Sequence, residues 1–182
     1  MMPLRMRVLF VADKDARTPL SQDLRSKVMS VIGEKGNDIE ILEIGSDDVV
    51  PCLGCLLCVL RVAERHGLCV STDTVAEFNS RIGDFDLVCF FGPVIFGQFS
   101  STMKSVVEKT QTNRMLRSRF VIAIGYGDDI RDEELETFFD IYRKHLGKAD
   151  VLHTLFPARV EVFASRSLEE TDALCAQLER VL

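Results

Sequence analysis

"RVLFVADKDARTPLSQDL" runs from Arg7 to Leu24. Its opening, "RVLFVA" (7–12), is a continuous apolar run of strand length, the pattern of a strand covered on both faces. The period then changes. Thr18-Pro19 supplies an N-cap followed by the residue best suited to the first helical position. Leu20, Leu24, Val28 and Ile32 return every four residues as one apolar stripe. A doubly covered strand that leads into an amphipathic helix begins a parallel sheet with crossover helices.

The alternation continues along the chain. "IEILEI" (39–44) reads as a second strand. In "STDTVAEFNSRIGDF" (71–85), Asp73 caps a helix whose buried face is Val75, Phe78 and Ile82. "DLVCFFG" (86–92) is a third buried strand, ended by Gly92-Pro93, and a helix from about Ser101 to Thr110 turns Met103, Val106 and Val107 inward. "RFVIAIG" (119–125) is the fourth strand, followed by an amphipathic helix marked by Leu135, Phe138, Phe139, Tyr142 and Leu146. The fifth strand is expected in 151–164, from "VLHTLF" and "RVEVFA" read as one extended region. Ser167 with Glu170 then forms a capping box ahead of Leu174, Leu178 and Val181. This alternation predicts one domain over 1–182: a flavodoxin-like, three-layer, doubly wound α/β fold on a five-stranded parallel sheet, order 2-1-3-4-5.

A chain of 182 residues, 47 % hydrophobic and 27 % charged, suits one globular domain. The net charge of -6, with basic residues scattered, argues against a nucleic-acid surface. No segment approaches the roughly 20 apolar residues of a membrane span. The start, "MMPLRMRVLFVADKD", has too short an apolar run for a signal peptide, so a cytoplasmic protein without a membrane partner is expected. In a reducing compartment, clustered cysteines point to metal binding or catalysis more than to disulfides.

In this topology ligands bind at the carboxyl ends of strands where the winding reverses, which selects the loops 13–21, 92–100 and 125–131. The first puts Lys14, Arg17, Thr18 and Ser21 beside a helix N-terminus, a setting that suits phosphate. Asp13, Asp15 and the absence of glycine stand against it, and a plain capped turn is the other reading. In the second, Gly92, Pro93 and Gly97 allow a close, stiff backbone, and Ile95, Phe96 and Phe99 offer apolar surface for a planar ring, for core or for a subunit interface. In the third, Gly125 and Gly127 flank Tyr126, which is placed to border a ring, while Asp128, Asp129 and Asp132 read as capping and solvating groups. His66, His145 and His153 have no spacing that pairs them and read as structural or surface residues.

"PCLGCLLCVLRVAERHGLC" (51–69) holds Cys52, Cys55, Cys58 and, after a gap of ten residues, Cys69. Three readings fit it: ligands of an iron–sulfur cluster, buried or redox-active thiols in an apolar segment, or a zinc site. Cys89 and Cys175 read as buried.

The run from "PCLGCLLC" and "GLCVSTDTV" through "FDLVCFFGPVIFGQFSSTMKSVVEKT" resembles the flavodoxin-like NAD(P)H-dependent FMN reductases and their relatives, the iron–sulfur flavoproteins. The matching positions are Cys52, Gly54, Cys55, Cys58, Gly67, Cys69, Val70, Asp73, Pro93, Val94, Phe96, Gly97, Ser100 and Lys104. The phosphate loop departs, with "ADKDARTPLS" in place of a Gly-Asn-containing motif. Ile95 replaces a tyrosine and Gly92 a serine.

The resemblance implies FMN with its phosphate near Lys14, Arg17, Thr18 and Ser21. The ring would rest on Pro93, Val94, Ile95, Phe96 and Gly97, flanked by Gly125, Tyr126 and Gly127. It further implies NAD(P)H as substrate, a small-molecule electron acceptor or a redox protein as partner, and a homodimer or homotetramer. A [4Fe-4S] cluster on Cys52, Cys55, Cys58 and Cys69 belongs to the same implication. No catalytic side chain is expected, since the flavin carries the hydride chemistry. Two alternatives stand beside the reductase: an electron carrier of the iron–sulfur flavoprotein type, and a flavodoxin-like module that has lost its flavin.

Overall fold

Val8, Phe10 and Ala12 face one side of the first strand, Leu9 and Val11 the other, and all five are buried. The computed structural model describes residues 5–60, 68–110, 120–147 and 159–182. Strands β1 (Arg7–Asp13), β2 (Asp38–Ile44), β3 (Leu87–Ile95), β5 (Phe120–Tyr126) and β6 (Arg159–Ser165) form a parallel sheet in the order β2-β1-β3-β5-β6. A short antiparallel strand, β4 (Gln98–Phe99), pairs with the end of β3. With β4 set aside, this is the expected order 2-1-3-4-5.

Helices α1 (Pro19–Glu34) and α6 (Leu168–Val181) cover one face. There Leu20, Leu24, Val28 and Ile32 pack with Leu174 and Leu178 on Phe10, Phe91 and Ile122. Helices α3 (Thr74–Arg81), α4 (Ser101–Thr110) and α5 (Asp132–Gly147) cover the other face. Val75, Phe78, Met103, Val106 and Phe138 pack there on Leu9, Phe90 and Val121. One turn, α2 (Leu57–Leu60), follows the cysteine loop. Burying each such side chain stabilises the fold by about 1.5–3 kcal/mol.

Two local expectations are corrected, and a third is met only in its described part. The third strand does not end at Gly92-Pro93; it runs on to Ile95 and returns as β4. Pro93 is tolerated because it lies past the last β1 partner, Phe91. The last strand is Arg159–Ser165, whereas "VLHTLF" (151–156) lies outside the described residues, as do His66 and His153. Ser167 does cap α6, but the Glu170 carboxylate reaches the backbone N–H of Arg166 (2.7 Å) and its guanidinium, so the box is not reciprocal. At α1 the box is reciprocal, closed by Thr18 with Ser21.

Candidate functional site

The winding reverses between β1 and β3, so the loops that leave these two strands open side by side at one edge of the sheet. They are clasped together. The Ser100 hydroxyl donates to the buried carboxylate of Asp13, whose other oxygen accepts the Asp15 N–H at 2.9 Å.

Beside this clasp β3 turns back through Phe96-Gly97, with Ile95 paired to Gln98. Both turn residues are left-handed, φ 51° at Phe96 and 74° at Gly97, as a two-residue hairpin requires. Glycine meets that demand freely, and at Gly97 a Cβ would also stand 2.9 Å from Thr137. Phenylalanine adopts the conformation at a cost of about 1–2 kcal/mol. Its side chain nevertheless stays 82 % exposed, beside an exposed Ile95.

The turn is braced from behind. The Phe99 N–H donates to the Tyr142 hydroxyl (3.0 Å), whose pKa burial pushes up to about 12, and the Ser100 N–H donates to the Pro93 carbonyl (2.9 Å). Val94 is buried. The result is a rigid apolar shelf at the carboxyl end of a central strand.

The third loop does not border the shelf with an aromatic ring. Tyr126 is 1 % exposed, lies against Phe91 (ring centroids 4.9 Å apart) and donates its hydroxyl to the Ala16 carbonyl at 2.8 Å. It braces the β1–α1 loop from inside the sheet, and burial raises its pKa. Gly125 is packing space, since a Cβ there would stand 2.4 Å from Val94 and 2.8 Å from Phe138. Gly127 lies half-buried at the surface, its N–H on the Ser165 carbonyl (3.2 Å). The apolar surface left for a ring is therefore Ile95 and Phe96 with the backbone of 93–97. The exposure of this braced, strained turn fits the flat face of an isoalloxazine.

The β1–α1 loop is folded onto its neighbours. Lys14 pairs with Asp48 at 2.6 Å, and that hydrogen bond raises its pKa. The Asp15 carboxylate accepts the Ser46 N–H (2.7 Å), which holds its pKa below the usual carboxylate range. Gly45, unremarked in the sequence, permits this, for a Cβ there would stand 2.3 Å from Lys14 Cε. Arg17 and Arg25 both turn to Glu43, at 3.6 and 2.5 Å, and the hydrogen bond from Arg25 is the main cause of the lowered Glu43 pKa. A cavity of about 170 Å³ beside the loop is lined by Arg17 and Arg25 but also by Asp13 and Glu43. As arranged, these residues do not form a phosphate cup.

The four thiols border one cavity. Cys52, Cys55, Cys58 and Cys69 line a cavity of about 320 Å³ with Val50, Leu53 and Leu56, in a loop that turns on left-handed Gly54 and Leu56 (φ 63° and 59°). Among the described residues, no three Cys, His, Asp or Glu side chains already stand together as a metal-holding group. At the base of the cavity lies a pair that sequence spacing gave no signal for. Lys109 of α4 (side chain 1 % exposed) is bonded to Asp73, the α3 cap (7 % exposed), and donates to the Ser71 hydroxyl at 3.0 Å. Burial opposes ionisation of Cys69, yet hydrogen bonds to Ser71 and the Lys109 charge outweigh it and hold its thiol below the ordinary value. Cys89 and Cys175 are buried, as expected.

Lys104, in the matched helix motif, is exposed on α4 with Glu108 at 3.9 Å. His145 is exposed on α5. No helix among the described residues is long and apolar enough to cross a membrane.

Comparison with known proteins agrees with this fold. The family model for NADPH-dependent FMN reductase matches residues 6–155. An iron–sulfur flavoprotein of Methanocaldococcus jannaschii is 24% identical over 125 residues, 64% of this chain and 62% of that protein, so the match spans less than two thirds of the relative's length. Among solved structures, an NAD(P)H:quinone oxidoreductase from Methanothermobacter marburgensis superposes with a TM-score of 0.68 at 14% identity, over 97% of this chain and 94% of that one. The two-electron reduced flavodoxin of Megasphaera elsdenii superposes at 0.55 and 9% identity, over 94% and 95% of the two chains. At these identities the structural matches show a shared fold.

Proposed function

The chain belongs to the NADPH-dependent FMN reductase family, and we propose that it is an NAD(P)H oxidoreductase that passes reducing equivalents to a flavin, a quinone or a similar small acceptor. The observation that carries this reading is the shelf of Ile95 and Phe96, an exposed aromatic held in a costly backbone conformation at the switch point of the fold. A flavin bound there would accept hydride from the nicotinamide and return electrons to the acceptor. The chain's part is to seat and orient. Phe96 and Ile95 present apolar surface and displace water from it, Gly97 and Tyr142 keep the turn rigid, and the Ser100–Asp13 clasp fixes the turn against β1. Among the described residues of the shelf no side chain is a proton donor or acceptor, so no catalytic residue is assigned.

The test is a flavin titration of the purified chain followed by NADH or NADPH oxidation with a quinone and with free flavin as acceptors. Quenching of flavin fluorescence together with acceptor-dependent nicotinamide oxidation is the expected result. A protein that takes up no flavin would be a binding module that has lost it, and the oxidoreductase reading would fall.

A second reading, an electron carrier with a cluster on Cys52, Cys55, Cys58 and Cys69, is favoured by the one cavity that all four thiols line. Iron and acid-labile sulfide assayed after anaerobic reconstitution decide it. The exposed Leu53, Leu56, Leu60 and Phe96 support self-association as a homodimer or homotetramer.

A further inference from the structure

We propose that this chain recognises its flavin through the ring and not through the phosphate, so that it binds phosphate-free riboflavin about as well as FMN. The proposal rests on the flavin reading above and on the state of the β1–α1 loop. A helix N-terminus holds a phosphate by offering backbone N–H groups that have no other partner. Here most are taken. Pro19 has no N–H; that of Ser21 goes to the Thr18 hydroxyl (3.1 Å), and that of Gln22 to the Thr18 carbonyl (3.0 Å). Leu20 keeps the one first-turn N–H without a partner among the described residues.

The two hydroxyls are each bonded to the other residue's backbone as well. Ser21, buried, donates to the Thr18 carbonyl (2.9 Å) and accepts the Thr18 N–H (2.8 Å). The cations are engaged, Lys14 on Asp48 and both Arg17 and Arg25 on the one carboxylate of Glu43. The buried Asp13 carboxylate lines the same cavity. With no glycine between Asp13 and Leu24, the loop cannot readily curl into the left-handed steps of an anion-binding nest. An incoming dianion would have to break a capping box, separate two ion pairs from Glu43 and approach Asp13. The ring meets no such obstacle at Phe96.

The experiment titrates FMN and riboflavin separately into the full chain at one ionic strength and reads flavin fluorescence. The dissociation constants should agree within about tenfold. A larger preference for FMN overturns the proposal, while binding of neither flavin defeats the oxidoreductase reading itself. Glu43→Gln supplies an independent arm. It releases Arg17 and Arg25 and should raise FMN affinity about threefold while leaving riboflavin unchanged. An equal response of the two flavins, or none from FMN, also overturns it.

Discussion

Phe96 holds a left-handed conformation that glycine would occupy without strain. Phe96→Gly is therefore expected to leave the melting temperature unchanged or higher, while flavin affinity falls by about tenfold or more through loss of the apolar face. Thermal unfolding and flavin titration of the same sample read both effects. Thr18→Ala should behave in the opposite way. It removes one half of the α1 capping box and should cost about 1 kcal/mol of stability, with no change in flavin affinity. Cys69 gives a third prediction at this scale. Its lowered thiol pKa means that alkylation by iodoacetamide, followed site by site by mass spectrometry, reaches half its plateau rate below the ordinary thiol pH. Ser71→Ala should move that midpoint upward, because hydrogen bonding to Ser71 is the largest of the effects that lower it.

Between elements, the Asp73–Lys109 pair joins the start of α3 to the end of α4 out of contact with water. Burial works against the Asp73 carboxylate, but bonds from Lys109 and from the backbone of Val50 and Ala76 depress its folded pKa. A depressed carboxylate contributes stability that is complete above its unfolded pKa, about 3.9, and is lost as pH falls through that value towards the folded one. Unfolding midpoints measured in that acidic window should drop in the parent chain and much less in Asp73→Asn. At neutral pH that variant, with a buried ammonium left without its carboxylate, should be weaker by about 3–5 kcal/mol.

This clamp was invisible in the sequence because its partners are far apart in the chain. Elements whose signals are local were legible: the continuous apolar strands, the four-residue stripe of α1 and the Thr18 and Asp73 caps all stand where the pattern put them. Gly92-Pro93 misled because a breaker pair usually ends a strand, and nothing local shows that the neighbouring strand has already stopped. The exposed turn at 93–97 lies in a loop that the topology alone selects. The burial of Tyr126 and the closed state of the phosphate loop depend on Ala16, Glu43 and Asp48, which only folding brings close.

For the whole molecule, the most exposed large apolar side chains gather at the carboxyl edge, with Leu53 and Leu56 lining the cysteine cavity, Leu60 following in α2, and Phe96 on the shelf beside Ile95. If this edge is where copies meet, Leu53→Glu with Leu60→Glu should convert an oligomer to monomers in light scattering while the circular dichroism spectrum is retained. The clasp of Asp13 by Ser100 also sets an order of events. Its partners are separated by 87 positions, and the intervening chain must return β3 to the side of β1 before the hydroxyl can reach the carboxylate. Contacts of such long range form late. During refolding from denaturant, far-UV ellipticity should therefore recover first and flavin quenching afterwards, which makes the ligand a timer for closure of the sheet's centre.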